Sequence, residues 1–571
     1  QGLNDVKDQM MNPLKHLTFG GRIYGDNLVA GKTYTGIYTD TDFKGWSLKS
    51  RKPAQEHQIR LALATLQCEN PADWETMLNK TISKVQTDKK AKQKTRQWWN
   101  SYWKRSYVFI DSGKIGSDYW KVGRNYQLFR YMLGCNAYGS EPTKFNGGLF
   151  TFDPVHIDST RVFTPDFRLW GGGTMTAQNQ RLVYFPMLKS GDFDMMKPQF
   201  DFYERMLDNA KLRTKVYWNH EGACFSEQIE NFGLPNLAEY DWKPRHEGFP
   251  VGVDSNPWLE YTWDTALEFA LMMFDAHLYN NEPIVPHLPF IESLLTFFDE
   301  HYSYLALRRG TNKLDGDGHL VLYPGSACET YKMATNATST VAALKVITEK
   351  LLELPELDAT QREHWSGFLK RIPPISYREV QGKKTISPAK MWERINNSEV
   401  PSLYPVYPWR IYGIGQPELQ TAINTYLYDP EAIEFRSHIG WKQDNIFAAC
   451  LGLTEEAERL TLLKLSDGPH RFPAFWGPGF DWTPDHNWGG SGMIGLQEML
   501  LQANGDSILL FPAWPENRDV HFRLHAPKQT TVEVTLRNNK IEFMQVEPKT
   551  REKDIVICLP SHFNHKSFYH E

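Results

Sequence analysis

The sequence predicts a mainly α-helical protein, a toroid of helical hairpins flanked by a β-rich N-terminal segment and a small C-terminal β-domain. Three observations carry this expectation. Apolar residues recur at helical spacing through residues 111–505, in runs parted by loops rich in Gly, Pro and aromatic residues. Both ends of the chain read as alternating, strand-like runs. Few convincing strands interrupt the middle, so helix must pack on helix there. Paired helices over so long a stretch suggest a closed ring, although no repeat of fixed period is visible.

Taken in order, residues 1–68 contain the alternating runs Thr33–Tyr38 and Gln58–Leu66. Two or three strands do not make an independent sandwich. The segment therefore either packs on the next domain or is the remnant of a larger N-terminal β-sandwich. The opening Gln1, with no Met or signal peptide, suits a processed or trimmed chain. Residues 69–110 read as a polar helical linker with Trp74, Met77, Ile82 and Val85 on one face, ending in the cluster Trp98, Trp99, Tyr102 and Trp103. Its lysines, Lys84 to Lys94 with Asp88 among them, read as a solvated face. Residues 111–505 hold candidate helices at 118–134, 195–210, 256–280, 287–303, 337–354, 358–370, 417–426, 438–451, 455–466 and 491–503. From residue 506 to 571, runs such as Val520–Leu524 and Thr531–Leu536 indicate a β-domain, and Ser561–Glu571 reads as a tail.

Composition narrows the function classes. The chain has 571 residues and a net charge of -5, with no basic excess to suit nucleic acid or an anionic membrane. No run is long and apolar enough to span a bilayer. The six cysteines are scattered without a C-x-x-C pair, so no zinc signature or disulfide framework is indicated, and no cofactor or metal-ligand set stands out. Aromatic residues reach 13%, with 19 Trp and 26 Tyr. Flat apolar faces with a polar edge suit sugar rings as well as large cores.

Three stretches carry candidate chemistry. The first, Asp481–Gln502, presents Asp485, His486 and Asn487 beside a Gly489-Gly490 turn, ahead of an apolar helix from Ser491. Taken alone it reads first as a capped helix start, with Asp485 or Ser491 as the cap, and the two stretches upstream are what favour a site. The second, Gly171–Arg181, places the amides Asn179 and Gln180 before the apolar run Leu182–Pro186, as caps or as groups that orient a water or sugar hydroxyls. In the third, Tyr323–Thr330, Glu329 stands among small and apolar neighbours where loop becomes helix. A desolvated carboxyl there would have a raised pKa, as a general acid requires. A helix-start Glu favoured by the dipole is the structural reading.

In this order the stretches resemble the inverting glycosidases with an (α/α)6 barrel, specifically glycoside hydrolase family 95 and its relatives, which comprise α-L-fucosidases and α-L-galactosidases. Pro324–Glu329 partly matches that family's Pro-Ser-x-Ser-Pro-Glu loop. Asp485–Ser491 and Gln497–Gln502 match its Asp-x-Asn-Phe-Gly-Gly-Thr stretch and the helix after it. Asn179 and Tyr184-Phe185-Pro186 keep part of an Asn-x-Asn-x-x-x-Asn-Tyr-Trp-Pro motif, with Ala177 in place of its first Asn, and Gly440-Trp441-Lys442 is similar to a Gly-Trp-Ser segment. The resemblance implies Glu329 as general acid, Asp485 as general base and Asn179 as a water-positioning residue. An inverting glycosidase separates its two carboxyls by about 6.5–9.5 Å to admit water. It also implies an oligosaccharide or polysaccharide substrate, release of an α-L-fucose-like or α-L-galactose-like sugar, and a periplasmic or secreted location. Trp488, Trp170, Trp218 and Trp482 are candidate sugar platforms; His220, Glu221, His486, Asn487, Glu260 and Arg181 are candidates for hydroxyl recognition, each with core packing as the alternative. A glycoside phosphorylase, a polysaccharide lyase and a non-catalytic glycan-binding protein remain the rival readings.

Overall fold

The computed structural model describes residues 2–146, 148–150, 160, 164, 174–236, 247–470, 472–475 and 484–559. They fall into two compact units: Met11–Lys104 with Phe152–Arg168, and Gln1–Met10, Arg105–Thr151 and Leu169–Glu571.

In the smaller unit, strand Leu17–Tyr24 pairs antiparallel with Arg60–Gln67, and Leu28–Tyr38 with Thr41–Ser50. The linker expected after them is two helices, Pro71–Thr87 and Ala91–Arg105. The break falls at Asp88, whose carboxylate accepts the backbone N–H of Lys90 at 2.9 Å and the ammonium of Lys94 at 2.6 Å. Asn70 caps the first helix, and the Trp74 indole donates to the Ala64 carbonyl at 3.0 Å, fixing that helix to the sheet. In the second helix, Trp98 stacks on Tyr102 and Trp99 on Trp103, both at i, i+4.

The larger unit is the helical toroid. Burial sorts its segments into two classes that alternate along the chain. Asp118–Asn136, Lys197–Arg205 with Leu207–Trp218, Leu288–Arg308, Ala359–Arg371, Leu419–Tyr428 and Thr454–Lys464 each keep an exposed face. Ala177–Ser190, Thr265–Asn280, Thr338–Glu353, Asp444–Cys450 and His486–Leu500 are far more buried; every residue of Asp444–Cys450 is buried. Helices apolar all round belong inside. The buried stretch from Pro401 to Trp409 takes the remaining inner place. Around the inner ring, His486–Leu500 packs on Asp444–Cys450 and Ala177–Ser190, the latter on Thr265–Asn280, that on Thr338–Glu353, and that on the Pro401 segment. Tyr404 against Phe447, with ring centroids 6.4 Å apart, closes the circuit. Because an outer helix separates successive inner ones, the inner helices run in one direction.

The tightest contact in the ring has a local cause. Pro186 lies inside the helix Ala177–Ser190 and leaves the Leu182 carbonyl without its helical donor. Gly490 faces that carbonyl so closely that a Cβ would stand 1.9 Å from it, and a Cβ at Gly489 would stand 2.2 Å from the Phe129 ring. These glycines therefore lie inside a helix that begins at His486, not in a turn before Ser491, and what approaches them is the neighbouring helix rather than a ligand.

At the C-terminal end, Leu501–Asn504 pairs with Ser507–Leu510, which pairs in parallel with Ile555–Ile557. A second sheet has the order Lys540–Glu547, Thr530–Arg537, Val520–Ala526, Tyr107–Ile110. Residues alternate between buried and half-buried along Val520–Ala526, as a sheet with one covered face requires. Among the described residues, no helix is long and apolar enough to cross a membrane.

Candidate active site

Glu329 sits at the tip of a hairpin between strands Gly325–Ala327 and Tyr331–Ala334, extended by Arg394–Ile395. The sequence places it at a helix start, but strand pairing claims this segment and the next helix begins only at Thr338. Cys328 turns the chain with φ +52°. A strap of residues 397–399 then fixes the tip. Glu399 accepts the Glu329 backbone N–H at 3.1 Å, Thr330 Oγ1 accepts the Glu399 backbone N–H at 2.9 Å, and Asn397 Nδ2 donates to Glu329 Oε2 at 2.7 Å.

The Glu329 side chain opens on a cavity of about 150 Å³. Asn179, Gln178 and Asn487 line it with amide groups, and Trp258 and Trp441 with indole rings. The amides of Gln178 and Asn179 have no partner among the described residues, and Asn487 Oδ1 is buried without one. Buried amides are normally satisfied, so the unpaired amides of Gln178 and Asn487, with the half-buried Asn179 amide beside them, mark a place for a polar ligand next to the carboxyl. Trp258 is 47% exposed. Its carbonyl is held at 2.6 Å by the buried ammonium of Lys332, which also reaches Ser326 Oγ.

Electrostatics favour a protonated Glu329. Burial pushes its pKa well above the usual carboxylate value, and the charges of Glu227 and Glu399 push it further. Lys332 and the Asn397 hydrogen bond pull the other way without prevailing. Glu227, buried and accepting the Gln178 backbone N–H, is raised to about 7, first by desolvation. Lys332 is lowered to about 8 by burial, against the pull of Glu329, Glu399 and Glu227.

Asp485 is fully buried and caps the helix His486–Leu500, its Oδ1 accepting the Asn487 backbone N–H at 3.0 Å. It is not among the residues lining the cavity, but the residues that follow it in the chain reach the cavity wall. Asn487 lines the wall, and the next residue, His486, donates its backbone N–H to the carbonyl of Phe145, another wall residue.

Most of the other residues singled out from the sequence lie elsewhere. The His486 ring packs against Phe129 and is kept neutral by burial, with its pKa lowered to about 4. Trp488 points outward from the inner ring, its indole donating to the Lys464 carbonyl at 2.8 Å. Arg181 is buried on Glu268 and the Tyr404 hydroxyl, a charge pair that plugs the middle of the toroid. Glu260 pairs with Arg394. His220 stacks on Trp218 and shares a 2.9 Å hydrogen bond with His301, and Glu221 forms a surface ion pair with Lys215. None of these seven lines the Glu329 cavity. Trp170 and Trp482 lie outside the described residues.

Sequence reasoning passes over Trp258, Trp441, Asn397, Gln178 and the buried trio Glu227, Glu399 and Lys332. Trp441 does belong to a segment that the sequence singles out. Trp258 is hidden when residues 256–280 are placed in one helix, whereas the helix starts at Thr265. The amide pair Asn396-Asn397 is a weak signal, and nothing local marks the trio. Among the described residues, Asp315, Asp317 and His319 form the one group of three or more His, Cys, Asp or Glu side chains with ligand atoms within 4.8 Å of one another. Asp315 Oδ1 there accepts the backbone N–H groups of Asp317 and His319, which accounts for the turn.

Comparison with known proteins gives a family match and a fold. Residues 1–108 match a family described as a domain of unknown function (DUF5703). No curated protein matches. Among solved structures the chain is similar to "Putative kojibiose phosphorylase from human microbiome", with a TM-score of 0.62 and 12% identity over 93% of this chain and 74% of that one. At that identity the likeness is one of fold, and it agrees with the (α/α)6 toroid.

Proposed function

We propose that this chain is a glycan-acting enzyme, an inverting glycoside hydrolase with Glu329 as general acid. One observation carries the reading: a carboxyl with a strongly raised pKa opens into a small cavity whose unpaired amides await hydroxyls. Trp258 supplies a platform for the apolar face of the sugar. The proton of Glu329 passes to the glycosidic oxygen as its bond to the anomeric carbon breaks. Water attacks that carbon from the opposite side, positioned by Asn179 and Asn487, and its proton passes by way of a second water to Asp485, the base that the sequence resemblance assigns, which lies behind the Asn487 wall. By the sequence resemblance, the sugar released is α-L-fucose-like or α-L-galactose-like.

The similar solved structure favours a second reading, a glycoside phosphorylase. Phosphate would need cationic partners, and no Lys or Arg is among the described residues that line the cavity. Incubation with α-L-fucosides, α-L-galactosides and related pectic oligosaccharides, with and without inorganic phosphate, decides between them. Hydrolysis gives reducing sugar of inverted configuration in both buffers. A sugar phosphate formed only when phosphate is present would establish the phosphorylase, and an unsaturated product a lyase.

A further inference from the structure

The inner helices point their N-terminal ends at the Glu329 cavity. Their C-terminal ends surround a second cavity, of about 410 Å³, at the opposite mouth of the toroid. Its wall takes Phe185 and Lys189 from one inner helix, Leu271 to Tyr279 from the next, Val346 to Glu353 from the third and Ile494 to Glu498 from the last, with Tyr407–Arg410 beside them. That volume lies within the range of about 300–1,000 Å³ usual for small-molecule sites. The plug of Arg181, Glu268 and Tyr404 separates the two cavities, so the second is not an extension of the first.

The chemistry of the wall narrows the ligand. Glu498 takes the ammonium of Lys189 and the guanidinium of Arg410, each at 2.6 Å, and Lys350 pairs with Asp275 at 3.4 Å. Lys189 and Arg410 share Glu498 and Lys350 has Asp275, so no cation on the wall is left without an ion pair. Glu349 and Glu353 also border the cavity and have no ion-pair partner among the described residues, so they repel an anion. Apart from these two carboxylates, what remains unpaired is neutral. Tyr279 and Tyr407 are buried rings whose hydroxyls have no hydrogen-bond partner among the described residues, and the Trp409 indole N–H is buried without an acceptor. Unpaired phenols beside aromatic and aliphatic faces suit a molecule with hydroxyls on its edge and C–H groups on its face.

We infer that the C-terminal mouth of the toroid is a second binding site, for a neutral carbohydrate of one or two rings, distinct from the Glu329 cavity. The site selects against acidic sugars through Glu349 and Glu353. It stands on its own residues and is independent of the reaction assigned to Glu329.

The probes are methyl glycosides of neutral hexoses and of L-fucose, with methyl glucuronide as the acidic counterpart. They are titrated by NMR into the full chain and soaked into its crystals. Wild-type protein is expected to show a neutral glycoside between Tyr279 and Tyr407, and no glucuronide there. Tyr279→Phe/Tyr407→Phe removes only two oxygens and should weaken that binding about tenfold for two lost hydrogen bonds, while Trp258→Ala leaves it unchanged. Glu349→Gln/Glu353→Gln, at the rim, should admit the glucuronide without altering neutral affinity. Density confined to the Glu329 cavity, a titration indifferent to the tyrosine pair, or wild-type protein that takes glucuronide as readily as the neutral sugars would each overturn the inference.

Discussion

Two desolvated glutamates mark the two ends of the toroid, and the loss of water has opposite outcomes for them. Glu329, at the N-terminal mouth, has one amide donor and two neighbouring carboxylates, and its pKa is driven well up by desolvation and by those charges. Glu498, at the C-terminal mouth, feels a desolvation push as its largest influence too, yet Arg410 and Lys189 together outweigh it and hold the carboxyl below its ordinary value. The same scaffold thus makes a proton donor at one end and a structural anion at the other. What decides is the company each carboxyl keeps, since desolvation acts on both in the same direction.

The largest effect expected from this contrast is confined to chemistry at one end. Glu329→Gln keeps the shape and removes the proton, so cleavage of a natural glycan should fall by about 10²–10⁴. An aryl glycoside with an acidic phenol, which leaves unprotonated, should lose much less. The melting temperature at neutral pH should not fall, because Gln keeps the neutral form that burial favours. A variant that melts early but turns over normally would reverse the roles of the two ends.

Glu498→Gln is the mirror experiment. It strips Lys189, whose side chain is 5% exposed, of its carboxylate, and loss of one partner from a buried pair costs about 3–5 kcal/mol. Denaturant unfolding of the full chain measures this. The pH dependence separates the two glutamates by sign. Glu498, with a lowered folded pKa, contributes stability above the unfolded value of 4.5 that is lost as the pH falls through its folded pKa. Glu329, with a raised one, contributes stability that is fully present below 4.5 and lost as the pH rises toward its folded pKa. Unfolding curves from acid to neutral pH should therefore converge on wild type at the acid end for Glu498→Gln. For Glu329→Gln the stability relative to wild type should grow with pH. Parallel curves for both variants would remove the electrostatic distinction.

Both ends depend on one close helix contact, and Gly490→Ala tests it. The added Cβ meets the Leu182 backbone carbonyl, which cannot move aside as a flexible side chain would. Overpacking of this kind costs about 1–3 kcal/mol. Because the two helices pressed apart carry Asn179 and Asn487 at one mouth and Lys189 and Glu498 at the other, loss of activity and loss of stability should appear together.

How much of this is legible in the sequence depends on where the information lies. Helical periodicity is local, and Leu288–Arg308, Thr338–Glu353, Ala359–Arg371 and Thr454–Lys464 stand close to where spacing puts them. The helix Ala177–Ser190 reads in sequence only as an apolar run, since an internal Pro186 argues against a helix when the packing that tolerates it is unseen. Likewise, Gly489 and Gly490 look like a turn until Leu182 and Phe129 are known to press on them. At the site, Glu329, Asn179 and Asn487 sit in local motifs, and the structure brings them to one cavity. Glu227 and Glu399 reach Glu329 from segments far apart in the chain, and no local pattern can announce an encounter of that kind; Lys332, three residues on in the same hairpin, reads in sequence as an ordinary strand lysine. His220 and Arg181 mislead for the opposite reason: polar residues beside aromatic ones invite a functional reading, but here each is satisfied within the core.

The smallest expected effect probes how finely the Glu329 end is set. Asn397 Nδ2 donates to Glu329 Oε2 at 2.7 Å and pulls that pKa down against burial. Asn397→Ala removes the donor, so the carboxylate form loses support and the pKa should rise. A hydrogen bond to a charged group is worth about 1.5–3 kcal/mol, and about 1.4 kcal/mol corresponds to one pKa unit. Since the cavity lets water replace part of the bond, the alkaline limb of the activity profile should move up by about one pH unit. The rate at the optimum should change only a few-fold. Asn397→Asp places a further negative charge there and should move the limb in the same direction. A limb that moves to lower pH in Asn397→Ala would mean that Asn397 supports the protonated acid instead. A rate that drops with the limb unmoved would make Asn397 a packing residue, with no part in setting the proton.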